Sequence, residues 1–140
     1  MNTQTEKCVL VIDEELPAGL IANTAAILGI TIGKLNPEAV GADVTDQNGL
    51  LHAGIIEFPV PVLKGSPEQI RDLRESLCLP EYQDLSVADF SDLAQSCRTY
   101  EEFIQKMAET PENDLQYLGL AICGSKKKIN KLTGSMALLR

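Results

Sequence analysis

Apolar positions along the chain fall into short unbroken runs that alternate with stretches of helical period. Cys8 to Ile12 is a continuous apolar, β-branched run of strand length, the pattern of a strand covered on both faces. Asp13-Glu14-Glu15 ends it, a turn too charged to be expected in the interior. Pro17 suits the first turn of a helix, where its missing N–H costs nothing. Ala18 to about Gly33 is apolar nearly all round, which predicts a buried helix rather than a surface-lying one, although Gly29 and Gly33 weaken its interior.

Asn48-Gly49, between Val44 and His52, predicts a hairpin. Ile55 to Leu63 predicts a strand, and Pro59 and Pro61 put it at an edge because each removes a ladder donor. Ser66-Pro67-Glu68-Gln69 is a capping box opening a helix to about Leu79, before Pro80. Leu85 to Phe90 predicts the next strand, followed by a helical turn from Ser91. Thr99-x-x-Glu102 opens a helix to about Glu109, and Leu115 to Cys123 predicts the last strand. Lys126 to about Leu132 predicts the last helix, with Gly134 to cap it. Strands alternating with helices at this spacing predict one domain over residues 1–140, a three-layer α/β/α arrangement with a mainly parallel sheet.

Composition narrows the class. With 140 residues, 44% of them hydrophobic, the chain is long enough to fold around its own core. No run of about 20 consecutive apolar residues is present to span a membrane. The polar start, Met1 to Lys7, lacks the basic segment and small-residue cleavage site of a signal peptide, so a cytoplasmic location is expected. The net charge of −8 argues against a nucleic-acid partner, which needs clustered Lys and Arg. All twenty acids precede Leu115, whereas Lys126, Lys127, Lys128, Lys131 and Arg140 follow it with no acid among them, which predicts charge pairing between body and tail. Four cysteines (Cys8, Cys78, Cys97, Cys123) form no Cys-x-x-Cys pair, and His52 is the one histidine. Neither a metal site nor a disulfide is expected. The glycine fingerprints of dinucleotide and phosphate sites are absent, so no cofactor is expected.

Ligands in such sheets sit at the carboxyl ends of adjacent strands. If the first and last strands are neighbours, the acidic turn from Asp13 to Gly19 faces the basic turn Gly124-Ser125-Lys126-Lys127-Lys128. Three lysines in a first helical turn oppose the helix dipole, and with the helix N–H groups they would hold an anion. Asp13 or Glu15 is then the candidate base, and Ser125 a candidate stabiliser of developing charge. Asn23, a polar exception on the apolar helix, and Gly19 would line the crevice. The competing reading is that these charges are solvated or paired.

Lys7-Cys8-Val9-Leu10-Val11-Ile12, then Gly19-Leu20-Ile21-Ala22, resembles the start of type II peptidyl-tRNA hydrolases. Leu120-Ala121-Ile122 and Ile129 to Leu139, with Thr133-Gly134, resemble that family's ending. The longer runs from Val11 to Gly29 and from Tyr117 to Gly134 resemble a bacterial family of unknown function, domain-of-unknown-function family two thousand. The resemblance implies a mixed sheet between helices and a homodimer, with Thr133 at the ligand end. It does not carry the reaction over, because the hydrolases' catalytic lysine falls on Leu20 and their helix histidine on Ile27. The sequence therefore leads first to a hydrolase with a remodelled site for a small anionic substrate. The alternative is a non-catalytic module that binds a metabolite or partner.

Overall fold

A computed structural model of the chain describes residues 4–140; the first part of the polar start, Met1 to Thr3, lies outside them. In chain order the elements are β1 (Glu6–Asp13), α1 (Ala18–Leu35), β2 (Val44–Thr45), β3 (Leu51–His52), β4 (Val62–Gly65), α2 (Pro67–Ser76), β5 (Ser86–Ser91), α3 (Asp92–Ser96), α4 (Tyr100–Glu109), β6 (Tyr117–Ser125) and α5 (Lys126–Thr133). Four strands make one sheet in the order β4-β1-β6-β5, and β2 and β3 pair as a separate hairpin.

The sheet is mixed rather than mainly parallel. β1 and β4 run parallel, but β6 runs antiparallel to both its neighbours. The reason lies between β5 and β6. The Asp92 N–H donates to the Gln116 carbonyl at 2.9 Å, and the Gln116 N–H donates to Asp92 Oδ1 at 3.0 Å. The chain therefore leaves β5 and enters β6 at the same end of the sheet. α3 and α4 form an excursion at that end, not a crossover, and only a crossover makes neighbouring strands parallel.

β1 and β6 are central, and their alternate residues feed two cores. Val9, Val11, Leu120 and Ile122 pack with Ile70 and Leu73 of α2 and Ile129 of α5. Cys8, Leu10, Ile12, Ala121 and Cys123 pack with Leu28 and Ile32 of α1. At Gly119 a Cβ would come within 2.9 Å of Thr24 Cγ2 and 3.1 Å of the Val11 carbonyl, so only glycine lets α1 lie this close to the sheet.

Three expectations are corrected here. α1 is not a buried helix: Thr24, Leu28 and Ile32 are its buried residues, one per turn, and Ile30 is 75% exposed. By length and composition alone this 18-residue helix, of mean hydropathy 1.5, would also pass for a membrane span; here it lies along the sheet. The strand expected from Ile55 starts only at Val62. Before it, Pro59 and Pro61 offer no N–H, and Ile56 makes a single bridge to Val40. Asp13 is buried although charged, because its Oδ1 accepts the Glu15 N–H at 2.9 Å and so closes the turn that leads to α1. The capping box forms as read, with Gln69 N–H donating to Ser66 Oγ at 3.1 Å and Ser66 N–H to Gln69 Oε1 at 2.9 Å.

Candidate functional site

The charged turns expected to face each other stand at opposite ends of the sheet. β1 and β6 are neighbours, but Glu6 is the residue opposite Ser125. Asp13 lies at the far end of the strand, roughly 23 Å away at the usual rise per residue. Glu15 and Gly19 are exposed beside Asp13, while Gly124, Ser125, Lys126, Lys127 and Lys128 gather at the other end. Asn23 is exposed and donates to Gln95 Oε1 at 3.4 Å.

The lysine end is partly satisfied from within, and Ser125, Lys126 and Lys127 line an open hollow of about 430 Å³ there. Ser125 Oγ accepts the Lys128 N–H at 3.4 Å, and the Lys126 N–H donates to the Thr5 carbonyl at 2.8 Å. Two of the first three N–H groups of α5 are therefore already engaged. Lys128 Nζ lies 2.8 Å from Asp84 Oδ1 and holds that carboxyl below the ordinary carboxylate range. Lys131 pairs with Glu81 at 3.4 Å, whose charge raises the lysine above its usual value. Two of the five cations of the basic tail, Lys128 and Lys131, are thus paired with the acidic body. Thr133 is buried and donates to the Ile129 carbonyl at 2.8 Å, a helix-internal bond. Among the described residues no group of three or more His, Cys, Asp and Glu is placed to hold a metal ion.

A different site appears at the C-terminal half of α1. A cavity of about 220 Å³ lies between that helix, the sheet and the irregular segment before β4. Cys8 and Leu10 of β1 and Cys123 of β6 lie on its sheet side, Gly29, Ile32 and Gly33 on its helix side, and Ala39, Val40, Ile56 and Val60 close it. The lining is apolar apart from Asn36. Asn36 is buried, donates to the Ile32 carbonyl at 2.9 Å and accepts from Ser86 Oγ at 3.3 Å. One amide hydrogen and one lone pair of its side chain are left for a guest. A Cβ at Gly29 or Gly33 would meet nothing within 4 Å, so neither glycine is demanded by close packing. A larger hollow of about 410 Å³, on the other flank of α1 near Phe90 and Phe103, is more open to solvent.

None of the lining residues belongs to the site read from the sequence. Cys8 and Cys123 read there as ordinary core, and Gly29 and Gly33 as weak points of a helix. Two glycines one turn apart inside an apolar helix were the available signal.

Residues 6–140 match the family model of a protein of unknown function, DUF2000. The chain belongs to the DUF2000 family. No curated protein matches the sequence. Among solved structures the DUF2000 chain is similar to a protein of unknown function from Agrobacterium tumefaciens str. C58. The TM-score is 0.85 at 17% identity, over 99% of this chain and 98% of that one. At that identity the likeness shows a shared fold.

Proposed function

We propose that this DUF2000 protein is a cytoplasmic, non-catalytic binding module that holds a small, uncharged, largely apolar molecule against the sheet side of α1. The observation that carries this reading is the cavity flanked by Gly29 and Gly33. A mid-helix glycine costs about 0.5–1 kcal/mol relative to alanine. Here two of them lie on the cavity's helix side, and a Cβ at either would meet nothing within 4 Å. Roughly 150 Å³ of apolar cavity suffices for benzene, so about 220 Å³ suits a somewhat larger ring system, with one polar group directed at Asn36.

The hydrolase reading has weaker support. Its proposed base and its proposed anion site lie at opposite ends of β1 and β6, and Lys128 is paired with Asp84. Leu20 and Ile27, which stand where the hydrolases resembled have their lysine and histidine, pack against the apolar core on the α1 face. Kinship of fold with type II peptidyl-tRNA hydrolases belongs to the same proposal. It is supported by the resembling segments, which form the two central strands of the sheet.

The module is proposed to act as a homodimer. Among the described residues, seven of the eleven exposed large hydrophobics, from Ile30 to Ile55, lie on the second half of α1 and on the hairpin region, while Leu79, Tyr100, Ile104 and Leu138 lie elsewhere, and a two-stranded hairpin is marginal in water without a partner.

Thermal unfolding with indole as the probe tests the binding reading. A midpoint that rises with indole concentration, with indole recovered unchanged, is expected from mass action on the folded state. An unmoved midpoint at saturating indole, or turnover of peptidyl-tRNA by the wild-type protein, would overturn it.

A further inference from the structure

The floor of the cavity carries two sulfurs. Cys8 and Cys123 are direct partners across β1 and β6, both line the cavity, and both thiols are free. The kind of pair they form follows from the other side of β1. The Leu10 N–H donates to the Pro61 carbonyl and the Glu14 N–H to the Gly65 carbonyl, so the even-numbered residues of β1 turn their backbone groups toward β4. Toward β6 they therefore make non-hydrogen-bonded pairs, in which Cα atoms stand about 4.5 Å apart and side chains approach most closely. That separation falls inside the range a disulfide spans without backbone movement.

We propose that Cys8 and Cys123 are a redox-active dithiol that closes to a cross-strand disulfide when a small hydroperoxide enters the cavity. The Cys123 sulfur attacks the terminal peroxide oxygen. The O–O bond breaks, the alkoxide leaves as alcohol with the thiol proton, and Cys123 becomes a sulfenic acid. The Cys8 sulfur then attacks the Cys123 sulfur, and the hydroxyl leaves as water with the Cys8 proton. Two thiols have lost two electrons and the peroxide bond has gained them.

Three features favour this chemistry. The neighbouring Cys8 thiol pulls the Cys123 thiol below its ordinary range, against burial and the charges of Glu6 and Glu38. Cys123 is accordingly assigned as the attacking sulfur and Cys8 as the resolving one. The disulfide is neutral, so it suits a lining without a charged side chain. The other two cysteines stand apart, with Cys78 exposed and Cys97 donating to the Leu93 carbonyl at 3.3 Å.

The inference shares the cavity with the binding reading, but it needs only that a small molecule can enter. The test uses the full chain with Cys78→Ser and Cys97→Ser, treated with hydrogen peroxide or tert-butyl hydroperoxide, then unfolded and alkylated. The expected result is loss of two hydrogens from the intact mass, no alkylation, a linked Cys8–Cys123 peptide pair and full reversal by dithiothreitol. Gly33→Leu, which adds a bulky side chain to the cavity wall, is expected to slow the reaction about tenfold, because rate follows access. Two alkylated thiols after peroxide, oxidation that stops at a sulfinic acid, or a Gly33→Leu rate equal to that of the Gly33 parent would overturn the proposal. Indole measured on the same protein separates the two readings. Binding without a disulfide overturns this inference alone, and a disulfide without binding overturns the binding reading alone.

Discussion

At the scale of single residues, the site turns on what is missing from two side chains. Gly29 and Gly33 have ordinary helical backbones, and neither is among the glycines with positive φ, Gly49 and Gly124. Nothing in the backbone demands glycine there. Gly33→Ala is accordingly expected to stabilise the protein by about 0.5–1 kcal/mol in urea unfolding, by removing freedom from the unfolded chain. The same change is expected to weaken indole binding, because it adds a methyl group to a residue that lines the cavity. Loss of stability would mean that the helix needs glycine for packing and not for space. Asp13 shows the opposite case, a charged residue kept inside because its carboxylate closes the turn before α1. Composition marked Asp13 as a surface residue; only the turn geometry, which no pattern in the sequence displays, reverses that.

Among the elements, α2 is fastened to the entry of β6 by one cluster. Arg71 donates to Glu112 Oε1 and Oε2 at 3.2 and 3.1 Å, donates also to the Leu115 carbonyl, and lies over the Tyr117 ring at 5.3 Å. The Tyr117 hydroxyl donates to Glu112 Oε2 at 2.6 Å. That bond, with the Arg71 charge behind it, holds the Glu112 carboxyl below its ordinary range, while burial and Glu112 keep the phenol protonated well above its own. A carboxyl depressed in the folded state contributes stability above its unfolded pKa and loses it as pH falls through the folded value. Tyr117→Phe is therefore expected to lower the urea midpoint at neutral pH, and the gap to wild type is expected to shrink in acid. A gap constant with pH would remove Glu112 from the account. The Ser66 capping box, the hairpin around Gly49 and the two central strands were legible because each rests on local chemistry or on an unbroken apolar run. The direction of β6 was not, since apolar runs read the same both ways and α3 and α4 look in sequence like a crossover. Once β6 is reversed, the acidic and basic turns separate, and the site read from them dissolves with it.

For the whole molecule, most of the exposed large hydrophobics lie along the second half of α1 and around the β2–β3 hairpin. The proposed dimer covers them. Light scattering after size exclusion is expected to give twice the 15.2 kDa chain mass for wild type and the single mass for Ile30→Asp. A wild-type monomer would refute that arrangement. The central claim is narrower: a cavity at the Cys8–Cys123 floor that admits a small apolar guest between the sheet and α1. The measurement that tests it most directly is a ¹H–¹⁵N correlation spectrum titrated with indole, for wild type and Gly33→Leu side by side. The account predicts saturable shifts confined to the amides of Cys8, Leu10, Gly29, Gly33, Asn36, Ile56 and Cys123 in wild type, and none in Gly33→Leu. Saturable shifts that persist in Gly33→Leu, or that centre on another part of the molecule, would contradict it.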